Sequence, residues 1–528
     1  MGGSASERLI KHGSLLSIFT LCSRVLGLLR ETTKAALLGT SALSDAFSVA
    51  FLIPNLFRRL FAEGSISTAF IPVFKSCLID GDEKKTKEFL NCAFTFLSFT
   101  VSLAVGAGIL AAPLLAPLFG MESFNETVFL TRLMFPFLGF ISIAAFFQGI
   151  LNSVNVFSPP ALAPILLNIS TIACAWLLKD ALGNAAAAMA AGVVLGGFLG
   201  AAFQAPFVIK NGFKPRLTGL LRSMRNEQTK AVLKLIAPTI VGMAAYQLND
   251  LVSSVIARKT GSGVLSSLQY SLRLQELFLG VFAVSIGTVL LPSLSGAAKM
   301  RDFKTYNERL SSALNIISLI TIPVTFYSLL FGKQIISLLF QMKNFDQTSL
   351  SLTLEAFKFH IAGLFFIAVN RILSPAFYAV GDARSPTIAG VISLGLNAAG
   401  AAILAGPLKG GGIALALSLA AAVNTAALFF MLSRKGTGSS KIAPQAFLYL
   451  LKTTVISIAS CAPLVFASGA VEAFCLKLGA GTKATAFAAL CSTSLLFGLL
   501  LLAVLNLTGD KYIKELLRLF LRKKRRRE

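Results

Sequence analysis

Apolar runs close to twenty residues long recur from one end of this chain to the other, and they leave few folds open. "FTFLSFTVSLAVGAGILAAPLLAPLF" from Phe94 and "STSLLFGLLLLAVLNL" from Ser492 are two of them. A helix needs about 20 apolar residues to cross a bilayer. The runs are continuous and do not alternate, which argues against a membrane β-barrel. Hydrophobic residues make up 55% of the 528 and charged residues only 13%, with a mean hydropathy of +0.76. A soluble domain could not hide that much apolar surface. The sequence therefore predicts an all-α polytopic membrane protein.

Fourteen helices fit the pattern, at 13–38, 43–76, 88–118, 126–153, 159–179, 184–209, 230–257, 264–297, 309–332, 350–380, 385–407, 411–433, 445–473 and 484–507. Of the 48 Lys and Arg, 29 fall in the lead, the tail and every second connection, 8 in the intervening connections and 11 inside spans. That bias places both termini in the cytoplasm. "MGGSASERLIKHGS" reads as a cytoplasmic lead and not as a cleavable signal. The net charge of +25 thus reports topology, and no nucleic-acid partner is expected. The tail, 508–528, is amphipathic and then basic, suited to anionic lipid headgroups. "FGKQIISLLFQMKNF" reads as a short interfacial helix on the outer face, and Trp176 as an interface anchor.

Two segments echo each other. Asn155-x-x-Ser-Pro159 followed by Asn168 is matched by Asp382-x-x-Ser-Pro386 followed by Asn397. A weaker echo pairs helix two with helix eight through Pro72 and Pro292. Two pseudo-symmetric six-helix lobes follow, with a transporter-like central cavity between them. The expected division is 1–212 and 213–440 for the lobes, 441–507 for two added helices, and 508–528 for the tail.

Charges inside the spans are the candidate functional residues, because one facing hydrocarbon at mid-bilayer costs about 3 kcal/mol even on the mildest scale. The cations are Arg24, Arg30, Lys34, Arg58, Arg59, Arg132, Lys234, Arg273, Lys358, Arg371 and Lys452; the anions are Glu31, Asp45, Glu63, Asp250, Glu276 and Glu355. Lys34, Lys234, Lys358 and Lys452 are assigned to snorkelling near span ends. Arg24 and Arg30 lie 120° apart around helix one, and Glu31 is available to an arginine on a neighbouring helix. Arg273 and Glu276, three apart, share a face of helix eight. The surplus of arginine makes the cavity cationic and suits it to phosphate oxygens. "LIPNLFRRLFAEG", 52–64, is a bent segment in which Arg59 and Glu63 can pair along the helix, a hinge-and-gate element more than a substrate clamp.

No catalytic constellation competes. His12 and His360 are the only histidines, with His360 read as polar interior; glycine loops for ATP are absent. Seven scattered cysteines without a C-x-x-C pair argue against disulfides or zinc, and no cofactor is expected.

"SRVLGLLRE", "DAFSVAFLIPNLFRRLFAEGSISTAFIPVF", "SLQYSLRLQELFLGVFAVSIGTVLLPSLS" and "LSPAFYAVGDARSPT" together resemble the MurJ/MviN family of lipid II flippases, within the multidrug and oligosaccharide-lipid exporter superfamily. The resemblance covers nearly the whole chain. It implies transport and not catalysis: movement of the undecaprenyl-diphosphate-linked peptidoglycan precursor, lipid II, from the inner to the outer leaflet of the bacterial cytoplasmic membrane by alternating access. Motif for motif, it implies substrate contacts at Arg24, Arg30 and Arg273. It implies gating or lobe-pairing roles for Glu31, Asp45, Arg58, Arg59, Glu63 and Glu276. The added helices would line a groove for the prenyl tail, and the cell-wall synthesis machinery is a further candidate partner.

The sequence departs from the family at one place. Some members hold sodium with an aspartate in helix seven and polar or acidic residues in helix eleven. The matching positions here are Ser253, Ser393 and Asn397, with Asp250 one turn before Ser253, which makes a weak ion site at most. Membrane potential, another ion and protons stay open as driving forces. Export of another polyprenyl-diphosphate glycan shares the same handle. A drug exporter would want acidic residues in the cavity, and a non-transporting scaffold would need no charged interior.

Overall fold

The computed structural model describes residues 5–58, 69–120, 122–435, 439–477 and 481–514. Within them the chain is helical, and its contacts divide it into two compact units, 1–266 with 342–345, and 267–341 with 346–528. The first holds α1 (Ala5–Leu38), α2 (Ala42–Arg58), α3 (Ile71–Ile79), α4 (Glu83–Leu115), α5 (Phe124–Ser153), α6 (Ser158–Leu178), α7 (Ala185–Lys210), α8 (Leu220–Arg225) and α9 (Glu227–Thr260). The chain then continues through α10 (Val264–Lys299), α11 (Phe303–Phe340), α12 (Gln347–Ala362), α13 (Leu364–Ala379), α14 (Arg384–Ser433), α15 (Ile442–Lys477) and α16 (Thr482–Leu507).

Among the described residues eight helices are long and apolar enough to cross a membrane, and the α12–α13 pair makes a ninth if its bent halves count as one span. Each of the fourteen expected spans overlaps helix, with α14 supplying two. Its geometry breaks at Lys409 (φ 44°, ψ −127°), in the connection expected between spans eleven and twelve. The span expected at 350–380 is instead two helices meeting at Gly363 with a 43° bend. A β-carbon on Gly363 would lie 2.3 Å from the Ser418 hydroxyl, so the close approach of α14 needs a glycine at that elbow. Phe331 leaves helical geometry within α11 (φ −106°, ψ 16°), setting off the "FGKQIISLLF" stretch as a separate short helix. The short α8 has no counterpart in the sequence reading.

Helix starts follow ordinary capping chemistry. Asp82, Asn184, Asn226, Asp302 and Asp346 each accept a backbone N–H of the first turn they precede. Asp382, in the second of the two echoing segments, accepts from the Ser385 N–H at 3.0 Å at the start of α14 and pairs with Lys435 at 2.5 Å.

The core of the first unit gathers Leu37 and Leu38 of α1, Phe47 of α2, Leu130, Met134 and Phe137 of α5, and Ala186, Met189 and Val193 of α7. Where α6 meets α7, Gly192 and Gly196 bring the backbones together. A β-carbon would stand 2.7 Å from the Thr171 Cα and the Leu167 Cα respectively. Small residues four apart replace the hydrophobic driving force that lipid cannot supply. The Ser170 hydroxyl crosses the seam to the Gly192 carbonyl at 2.9 Å. In the second unit Tyr327 and Phe331 of α11 pack with Leu464 of α15 and Leu490 and Phe497 of α16.

Candidate functional site

Of the α1 cations with described side chains, Arg24 and Arg30 are half-buried and Lys34 is buried. Arg30 has a side chain only 12% exposed and is held from three directions. Its Nη1 donates to the Asn168 amide oxygen at 3.2 Å, its Nη2 to Glu31 at 2.8 Å, and its guanidinium lies 5.7 Å from the Phe51 ring centre. Asn168 in turn donates to the Ser23 carbonyl at 3.2 Å, fastening α6 to α1 one turn and more above the arginine. Glu31 thus pairs with Arg30, its own neighbour in sequence. Arg24 is half-buried and makes no ion pair among the described residues.

Lys34 departs from the expectation. It does not snorkel: it is 2% exposed, donates to the Ser48 hydroxyl at 2.6 Å and lies over the Phe47 ring. One α2 turn before Ser48, Asp45 is fully buried. Its two oxygens accept the backbone N–H groups of Gly263 and Ser266, each at 2.8 Å, so a carboxylate of α2 caps the start of α10. The unsatisfied amides and positive dipole end of a helix suit a buried anion. The contact is tight. Gly263 adopts φ +79°, and a β-carbon there would sit 2.4 Å from the Thr40 carbonyl oxygen.

The same end of the first unit holds a cation that sequence reasoning missed. Arg258, at 4% exposed, pairs through Nη1 with Glu122 at 2.9 Å and through Nη2 with the Glu122 carbonyl. It lies one residue beyond the span drawn at 230–257 and was therefore counted as a loop residue. Asn344 donates to the Leu37 carbonyl at 2.6 Å, and Lys343 stands 4.8 Å over the Trp176 ring. Arg58 closes α2 and bonds Asn55 at 2.9 Å. Arg59 and Glu63, with the rest of "LIPNLFRRLFAEG" beyond Arg58, lie outside the described residues, as does the tail from 515.

In the second unit Ser271 and Gln275, four apart, dock α10 on the end of α12. Ser271 bonds His360 Nδ1 at 2.6 Å, and Gln275 donates to the His360 carbonyl. Arg273 lies about 200° from Ser271 around the helix, so the docked face is not its own. It pairs with Glu276 at 3.1 Å, as the spacing predicts, and both side chains stay substantially exposed. Of the weak ion site, Asp250 and Ser253 stand on α9, and Ser393 and Asn397 on α14. The Ser393 hydroxyl is engaged with the Ala420 carbonyl at 3.0 Å. Among the described residues no three His, Cys, Asp or Glu side chains form a metal-holding group. Lys452 reaches Asp510 at 2.7 Å just past α16.

Among the described residues the chain is all-helical and multi-pass, with arginines held inside apolar helices, an architecture suited to moving an anionic cargo. The comparisons agree and go further. The family model described as lipid II flippase MurJ matches residues 34–478. A probable lipid II flippase MurJ of Treponema pallidum (strain Nichols) is 44% identical over 466 residues, 87% of this chain and 88% of that protein. The lipid II flippase MurJ of Burkholderia cenocepacia is 34% identical over 80% of this chain and 83% of its own. Among solved structures, a lipid II flippase MurJ in an inward closed conformation matches with a TM-score of 0.76 at 24% identity, covering 93% of this chain and 99% of that one. An inward-facing multidrug transporter of the MATE family, in the MOP superfamily, matches at 0.62 and 16% identity, over 82% and 96%. The chain belongs to the lipid II flippase MurJ family.

Proposed function

We propose that this protein carries lipid II from the inner to the outer leaflet of the bacterial cytoplasmic membrane, with both termini in the cytoplasm. Family membership supports the cargo, and the setting of Arg30 supports the chemistry. A guanidinium kept charged within a membrane helix by an amide, a carboxylate and a ring face is pre-oriented for a diphosphate. In this reading Arg24, Arg30 and Arg273 hold the headgroup. Glu31 and Glu276 are the anions that release or recapture Arg30 and Arg273 as cargo leaves. Asp45, Arg58, Arg59 and Glu63 belong to the gates through which two lobes, 1–212 and 213–440, alternate access. Residues 441–507 take the prenyl tail, and the basic segment 508–528 rests on anionic headgroups, within reach of the cell-wall synthesis machinery. Asp250, Ser253, Ser393 and Asn397 are at most a weak ion site.

The test is depletion of the protein in cells lacking another flippase, followed by measurement of lipid II at the outer leaflet. Outer-leaflet precursor should fall; delivery at the undepleted rate sinks the reading. Arg24→Ala and Arg273→Ala should each abolish complementation while membrane insertion stays normal, and wild-type growth of both would remove the diphosphate role. Normal lipid II delivery with loss of a different polyprenyl-diphosphate glycan would reassign the cargo.

A further inference from the structure

At the end of the second unit where α10 and α16 finish and α11 and α15 begin, a cleft of about 1280 Å³ opens. Four cations line it, Lys304, Arg309, Lys441 and Lys511, against one carboxylate, Glu308. The three lysines come from three separate stretches of chain, so the amphipathicity of one helix does not account for their convergence. Nearby acids are committed elsewhere. Asp510 is bound to Lys452 at 2.7 Å, and Asp302 caps the Thr305 N–H at 3.0 Å. Among the described residues none of the three lysines has an ion pair, and Arg309 spends only Nη1, on Ser293. A guanidinium has five donors, so most of its capacity is left.

We propose that this cleft holds the phosphate of an anionic phospholipid headgroup. Apolar side chains share its wall, Leu290, Ile316 and Ile442 among them. Further along α15, Phe447, Leu448 and Leu451 are exposed at helical spacing, a surface on which an acyl chain can lie. A free phosphate would have no use for that surface. The segment of this chain that follows residue 514 is basic, the same sign as the cleft, so its charge does not complement it. Assigning the lipid to the cytoplasmic leaflet rests on the orientation proposed above; binding itself does not.

The full chain, purified in neutral detergent, is titrated with phosphatidylglycerol and with phosphatidylcholine, and retained lipid is read by native mass spectrometry. Phosphatidylglycerol should be retained and phosphatidylcholine should not. A triple variant, Lys304→Gln with Lys441→Gln and Lys511→Gln, should weaken phosphatidylglycerol retention on the order of tenfold or more. A control with the same charge change in the first unit, Lys84→Gln with Lys85→Gln and Lys230→Gln, should stay near wild type. Equal loss in both triples, or equal retention of the two lipids, overturns the proposal. Displacement of the lipid by millimolar inorganic phosphate overturns it in favour of a soluble anion. A greater loss of lipid II than of phosphatidylglycerol makes the cleft part of the transport route instead. If the triple variant does not fold, Lys441→Gln alone, at an exposed helix start, must still weaken phosphatidylglycerol selectively. Retention is measured without transport, so wild-type binding without flipping would count against the flippase reading alone.

Discussion

Arg30 shows how a membrane helix keeps a cation: no one contact neutralises it, and three partial ones share the load. The amide of Asn168 fixes its position, Glu31 balances its charge, and Phe51 shields one side. Asp45 is the opposite case, a carboxylate whose two oxygens accept the backbone N–H groups of Gly263 and Ser266. Asp45→Ala should lower stability by about 2 kcal/mol, because two buried N–H groups lose their acceptor. Asp45→Asn should keep part of it; thermal unfolding in detergent reads both, and an unchanged alanine variant would refute the capping role. The arginines of helices one and eight were legible in sequence because cost alone singles them out. Lys34 and Arg258 were not. Whether a lysine near a span end reaches water or turns inward depends on the facing helix, here the Ser48 hydroxyl, which no spacing rule reveals. Arg258 hid because a boundary drawn one residue short counts a buried cation as a loop.

Among the elements, the seam of α6 and α7 is set by what is missing from its side chains. Gly196→Ala should destabilise by about 1–3 kcal/mol, since the new methyl meets the Leu167 backbone at 2.7 Å. Gly200→Ala, where the nearest atom is the Ala163 methyl at 3.4 Å, should stay within about 0.5 kcal/mol. Melting temperatures of the two variants decide it, and equal losses would deny the seam its role. The break at Lys409 was legible because three glycines follow it and the apolar pattern restarts. The elbow at Gly363 was not, for the run around it is evenly apolar and only Ser418 of α14 explains the bend. Asp382 joins two elements that the sequence echo had marked without explaining. Burial pushes its carboxyl upward, but Lys435 and Ser385 outweigh that and hold it well below the usual carboxylate range.

For the whole molecule the orientation is the proposal most open to direct test. With Cys22 and Cys491, the two exposed cysteines, replaced by serine, Asp180→Cys should react with an impermeant maleimide on intact cells. Lys84→Cys should react only after permeabilisation, and the reverse pattern would invert the topology. The all-helical, multi-pass class was readable from hydropathy because the bilayer imposes a length on each span. The packing of α9 on α2, α3 and α4 was not, since hydropathy cannot express such contacts. The mooring of the last two helices carries a consequence of its own. Tyr327 of α11 bonds the hydroxyls of Thr493 and Ser494, and Asn315 donates to Tyr512 at 2.9 Å. A shortened chain ending at residue 440 would strand both polar groups against hydrocarbon, so α15 and α16 are no detachable appendage: α11 is already written for their presence.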